Sequence, residues 1–95
     1  MFKDLDPLLH NQLRLSIISL LMNVESAEFN FLLEQTKATR GNVSVQINKL
    51  KDAGYIEVIK SFRANYPLTT CKITEAGLAA FEKYVEAISG YLNQN

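Results

Sequence analysis

Cysteine and histidine are almost missing from this 95-residue chain: Cys71 and His10 are the single examples of each. One cysteine excludes an internal disulfide framework and fits a reducing compartment, so a cytoplasmic location is expected. No His/Cys cluster with metal-ligand spacing is present, and no Gly-rich phosphate loop. A Cys71–His10 nucleophilic pair would need a rearranged fold, because Cys71 is expected to point into the core beside Ile73. A buried thiol without a neighbouring cation is ordinarily inert, which leaves a redox switch as the lesser alternative. Neither an enzyme nor a cofactor is expected. No apolar run approaches the roughly 20 residues of a membrane span. The start, Met1 to Pro7, lacks the charged-then-apolar layout of a signal peptide. Repeats, low-complexity stretches and Gly/Pro/Ser-rich linkers are also lacking. The length then gives one domain, residues 1–95, around one core. A hydrophobic fraction of 47% with 21% charged residues excludes wholesale disorder.

Net charge is the last absence. Ten basic residues balance ten acidic ones. As a total, zero argues against a nucleic-acid partner. By segment it does not. Residues 1–36 carry Lys3 and Arg14 against Asp4, Asp6, Glu25, Glu28 and Glu34, a net of −3. Residues 37–72 carry Lys37, Arg40, Lys49, Lys51, Lys60, Arg63 and Lys72 against Asp52 and Glu57, a net of +5. Residues 73–95 carry Lys83 against Glu75, Glu82 and Glu86, a net of −2. Salt cuts off fields beyond roughly 8–10 Å, so a local basic middle is what a phosphate backbone would feel. A solvated basic face is the bland alternative.

Asp6-Pro7 suits a helix start, and an apolar helix is expected from Leu8 to about Met22, with His10-Asn11 as a candidate break. Residues 26–29 are a candidate short strand. Asn30 is a candidate cap for a second helix, Phe31 to about Thr36, and Lys37-Ala38-Thr39 connects it to a third. Thr39 caps that third helix, Arg40 to about Ala53. Its apolar positions Val43, Ile47 and Leu50 fall at i, i+4 and i+7. Gly54 fits the left-handed residue that ends it. Tyr55 to Lys60 reads as a strand, Ser61 to Leu68 as a loop and Thr69 to Ile73 as the returning strand, with Cys71 and Ile73 on one face. Thr74 caps a last helix, Glu75 to about Leu92. The expected fold class is α+β, mainly α with a small β-hairpin. Two short helices with a tight turn followed by a hairpin resemble a winged helix-turn-helix.

Five segments carry a closer resemblance. They are His10 to Ile18 in the first helix, Phe29-Asn30 before the second, and Thr39 to Ser44 at the start of the third. Leu50 to Ile56 forms the helix-to-strand junction, and Ile73 to Gly77 with Ala80-Phe81 leads into the last helix. Together they resemble small MarR/ArsR-like winged-helix regulators over about residues 6–92. That resemblance implies dimeric, sequence-specific binding of double-stranded DNA and transcriptional control in a prokaryotic cytoplasm. It places the helix-turn-helix at about 30–53, the wing at about 55–73 and a dimerisation helix at about 75–92. Two departures stand out: Leu68 follows the wing proline where the family often has a basic residue, and Val45 follows Ser44 in the same sense.

With Val43, Ile47 and Leu50 inward, the third helix offers Arg40, Asn42, Ser44, Val45 and Asn48 as candidate base readers. Arg40 can fork onto guanine, Asn48 can pair with adenine, and Val45 can touch a thymine methyl. Thr39, Lys49, Lys60, Arg63 and Lys72 are candidate backbone or wing contacts, with Arg63 expected at the loop tip for minor-groove insertion. Phe62 and Tyr66 are expected to pack the loop onto the body rather than stack on bases.

In the last helix Leu78, Phe81, Val85, Ile88 and Leu92 recur at steps of 3, 4, 3 and 4. This seam, together with the apolar first helix, is the expected homodimer interface, matching a palindromic DNA site. Arg14 lies in an otherwise apolar helix and is expected to reach a carboxylate or a helix C-terminus. The muted wing leaves a second reading, a protein-interaction winged helix with little DNA binding. No polar cluster defines a pocket for a small-molecule effector.

Overall fold

Asp6 closes a turn rather than capping the first helix. In this computed structural model, which describes residues 2–93, the Asp6 carboxylate accepts from the Leu8 amide at 2.9 Å. Its carbonyl accepts from Leu9 and His10 at 3.1 and 2.8 Å. The turn folds Leu9 fully into the core. The expected helix therefore divides at His10-Asn11. Asn11 takes an extended conformation, its side chain accepts from the Arg14 amide at 3.0 Å, and α1 runs Gln12–Leu21. Ile17, Ile18 and Leu21 of α1 are buried. None of its large apolar residues is exposed, so α1 is the central helix of its own domain.

A two-residue strand, β1 (Ala27–Glu28), runs directly into α2 (Phe29–Thr36). Here the structure corrects the expected cap. Pairing with the sheet fixes the chain as far as Glu28, so the helix starts at Phe29, two residues earlier than expected and without a side-chain cap, and Asn30 lies inside its first turn. Lys37, in the left-handed region at φ 57°, ends α2. Thr39 then caps α3 (Arg40–Asp52), accepting from the Asn42 amide at 3.2 Å. Val43, Ile47 and Leu50 are buried as their spacing requires. Gly54, at φ 79°, turns the chain out of α3.

The hairpin is longer and tighter than its sequence suggests. Strands β2 (Ile56–Arg63) and β3 (Tyr66–Ile73) pair antiparallel from Ile56–Ile73 to Arg63–Tyr66. Only Ala64 and Asn65 connect them, both left-handed at φ 48° and 69°. This is the primed geometry that matches strand twist. The expected loop Ser61–Leu68 is thus mostly strand. Pro67 marked a loop, yet β1 covers only Cys71 and Thr70 of β3, so Pro67 faces an open edge where its missing N–H costs no ladder bond. Arg63 accordingly ends β2, and the tip belongs to Ala64-Asn65. The sheet order is β1-β3-β2.

Thr74 caps α4 (Glu75–Leu92) through the Gly77 amide at 3.1 Å. Gly77, Tyr84 and Ala87 form its buried face. The N-terminal segment lies along it: Phe2 stacks on Tyr91, Lys3 pairs with Glu86, and His10 Nδ1 meets the Tyr84 hydroxyl at 2.9 Å. Leu78, Val85 and Leu92 project to solvent, while Phe81 and Ile88 are half-buried. No helix among the described residues is long and apolar enough to cross a membrane.

Candidate nucleic-acid interface

Helical geometry sorts the outward side chains of α3 into two stripes. Arg40, Ser44 and Asn48 recur every four residues and line one wall of a groove of about 420 Å³. The facing wall comes from the wing, where Lys60 and Thr69 are paired in register and stand on the same face. Asn42, Val45 and Lys49 form the second stripe, fully outside the groove and exposed. The predicted base readers are therefore brought onto one helix but divided between two faces of it.

Several of these side chains already hold partners. The Arg40 guanidinium lies 5.1 Å from the centroid of the Phe29 ring and donates to Asn30 Oδ1 at 3.2 Å. A planar cation stacked on an aromatic face is oriented without being neutralised. Asn42 Oδ1 accepts from Gln46 Nε2 at 2.9 Å, and Gln46 accepts in turn from Arg14. Thr39 is committed to its cap. Asn48, Ser44 and Val45 are exposed at the surface.

The wing cations are separated. Lys60 faces the groove, whereas Lys72 stands on the other face opposite Glu57. Arg63 also leaves the expected position at the tip, and its guanidinium pairs with Glu28 across to β1 at 3.0 Å. Phe62 and Tyr66, expected to pack on the body, are each 75% exposed. Both stand at the far end of the β2–β3 ribbon, beyond the stretch that β1 pairs with. Arg14 also departs from expectation. It reaches no carboxylate among the described residues; its Nε donates to the Leu8 carbonyl at 2.5 Å and a terminal nitrogen donates to Gln46. The carbonyl left over by the Asp6 turn supplies the acceptor that a helix C-terminus would have offered.

Phe29, Asn30 and Glu28 were missing from the sequence reading of this site. They lie on the turn from β1 into α2, and only the short β1 pairing brings that turn against α3. Burial pushes the Cys71 thiol up to about 11, so it stays protonated at neutral pH inside the core. The thiol lies behind the groove rather than in it, paired across the sheet with Val58 of the groove lining.

The comparisons agree with this geometry. A family described as winged helix DNA-binding domain matches residues 13–92. An uncharacterised protein of Methanocaldococcus jannaschii is 37% identical over 75 residues, spanning 79% of this chain and 82% of its own. A transcriptional regulator homologue protein from Pyrococcus horikoshii superposes with a TM-score of 0.83 at 25% identity, over 90% of this chain and 84% of its own. Bacillus subtilis PadR, solved in complex with operator DNA, superposes at 0.71 and 15% identity over 79% of this chain and 48% of its own. The structural neighbours are MarR- and PadR-family transcriptional regulators, in keeping with the resemblance read in the sequence. With the match extending from α1 to the end of α4, this chain belongs to the winged helix DNA-binding domain family.

Proposed function

We propose that the protein is a transcriptional regulator that binds double-stranded DNA sequence-specifically as a homodimer and represses by occupying its site. The observation that carries this reading is the groove in which Arg40, Ser44 and Asn48 face Lys60 of the wing. In the reading helix Arg40 and Asn48 supply bidentate base contacts, each worth roughly 1–3 kcal/mol of discrimination. Asn42, Ser44 and Val45 add edge and methyl contacts. Lys49, Lys60 and Arg63 attach to the backbone, fixing register without reading sequence, while Thr39 holds the start of the reading helix through its cap and Lys72, on the other face of the wing, adds only its charge. The PadR neighbour, solved on operator DNA, supports duplex DNA as the partner.

A single reading helix spans few base pairs, and a twofold pair reaches half-sites about 34 Å apart. The seam of exposed Leu78, Val85 and Leu92 with half-buried Phe81 and Ile88 is the surface offered to the second copy. Because α1 is enclosed within its own domain, α4 is the main dimer element in this reading. Repression is the outcome that occupancy of a promoter alone accomplishes.

Selection of bound duplexes from a random pool tests the assignment. Arg40→Ala and Asn48→Ala are expected to alter the selected sequence, whereas Lys60→Ala lowers affinity without altering it. Equal, non-selective losses from all three would refute the base readers.

The exposed aromatics Phe62 and Tyr66 favour a second reading, in which the wing docks a protein. Titration against duplex at several salt concentrations separates the two. A DNA-binding protein loses affinity steeply as salt rises, by about 0.9 log units per log unit of salt for each phosphate contact. No binding at low salt favours the docking module.

A further inference from the structure

Arg63 is the cation nearest the wing turn, yet it is the site's only cation held by a carboxylate. Among the described residues there are two ion pairs, Lys3–Glu86 and Arg63–Glu28. The second is forked. Arg63 Nη2 reaches Glu28 Oε2 at 3.0 Å and Nη1 reaches Oε1 at 3.4 Å. A guanidinium engages a phosphate with the same two-pronged geometry. Glu28 thus occupies the place that a DNA phosphate would take.

We propose that Glu28 is an affinity-limiting residue, which holds Arg63 in the free protein and competes with DNA phosphate for it. The proposal rests on the DNA-binding reading above. Glu28 is well placed for this role. It is paired with Thr70 in the sheet, so its backbone is fixed, and it lies at the rim between the groove of Arg40, Asn48 and Lys60 and the hollow that it lines with Arg63 and Thr70. Both side chains of the pair remain substantially exposed, at 65% for Arg63 and 40% for Glu28. Water and salt reach such a pair, so its partners exchange readily.

The consequence is a limit on affinity. On random duplex the wing samples many positions and Arg63 can stay with Glu28, so little binding is lost to the pair. On the cognate site base contacts by α3 fix the wing over one stretch of backbone. A phosphate is then delivered to Arg63 at hydrogen-bonding range, and the guanidinium changes partner. The cost of breaking the pair is subtracted from cognate binding, so Glu28 lowers affinity for the cognate site at least as much as for random DNA.

The test compares wild type, Glu28→Gln, Arg63→Ala and the double variant. Fluorescence anisotropy at a series of salt concentrations reads binding to a random-sequence duplex and to the duplex selected from the pool. Glu28→Gln is expected to bind the selected duplex about two- to fivefold more tightly. The gain on random duplex is no larger, and there the log–log salt slope should be steeper by about 0.9, because Arg63 adds a phosphate contact. The double variant loses the gain, because no guanidinium is left to release. An equal gain in the double variant overturns the proposal, since simple removal of a negative charge then explains it. A loss of affinity in Glu28→Gln overturns it too, because Glu28 would then be holding the wing in its productive place. Wild type that binds neither duplex at low salt overturns the DNA-binding reading itself, and this proposal falls with it. That failure is visible before any variant is compared.

Discussion

Gly77 lies against the carbonyl oxygen of Tyr55, so closely that a Cβ at Gly77 would stand 2.1 Å from it. The same carbonyl accepts from the Thr74 amide at 3.0 Å, and the Thr74 hydroxyl donates to the Gly54 carbonyl at 2.6 Å. The first turn of α4 is thereby seated on the junction between α3 and the wing. The angle between the reading helix and α4 depends on that seat.

Gly77→Ala is expected to destabilise the fold by about 1–3 kcal/mol, because the atom in the way is backbone and cannot rotate aside. Gly41 provides the contrast. It lies in α3 with no atom within 4 Å of an added Cβ, so Gly41→Ala should stabilise by about 0.5–1 kcal/mol. Urea denaturation of the two variants beside wild type checks both signs. Equal effects would show that α4 is not seated as described.

Alkaline pH should weaken the fold through two groups. The Tyr55 hydroxyl donates to Asp6 Oδ2 at 2.5 Å. That hydrogen bond, then burial and the nearby negative charge, push Tyr55 from 10.0 up to about 12. The neutral phenol is the form that folding favours. Its contribution is complete below pH 10 and is lost as pH rises towards about 12. Burial of Cys71 acts with the same sign between pH 9 and about 11. Tyr55→Phe should therefore flatten the upper part of the alkaline limb and leave the Cys71 part. At neutral pH it costs about 0.5–1.5 kcal/mol for the lost hydrogen bond. Denaturation midpoints measured across that range decide it. An unchanged limb would show that Tyr55 does not report on folding.

Val85→Glu should abolish dimerisation while sparing the fold. Val85 is 46% exposed within one chain, so the new carboxylate stays hydrated in the monomer. On a twofold seam it would face its own copy and be desolvated. Sedimentation velocity at micromolar concentration should show a dimer for wild type and a monomer for the variant, with coincident far-UV circular dichroism spectra and a lower midpoint for the variant, as the lost dimer requires. A monomeric wild type would sink the α4 seam as the dimer surface.

Arg14→Ala should cost about 1–3 kcal/mol by leaving the part-buried Leu8 carbonyl without its donor. Gln46→Ala should cost less, since it removes a side-chain partner and leaves the Nε–carbonyl bond in place. The order of the two denaturation midpoints tests the arrangement. A larger loss from Gln46→Ala would contradict it.

Most elements were legible because their signals are local. Thr39, Gly54 and Thr74 cap or end helices through groups within three residues, so the sequence alone places those boundaries. Val43, Ile47 and Leu50 mark the buried face of α3 by spacing alone. Asn30 failed as a cap because β1 sets where α2 begins, and that pairing joins residues far apart in the chain. Pro67 misled for a related reason. Whether a strand proline is tolerated depends on whether another strand lies on its open side.

The sequence by itself determined a winged-helix fold, the inward face of its third helix and a basic middle between acidic ends. These follow from periodicity, caps and charge order, which act over a few residues. Only the tertiary structure decided which cations are free. Arg40 is oriented by Phe29 and Asn30, Lys60 faces the groove, Lys72 turns away and Arg63 is held by Glu28. Charge acts through space over several ångströms. The Glu28–Arg63 pair is 35 residues apart in the chain, and no local pattern could announce it.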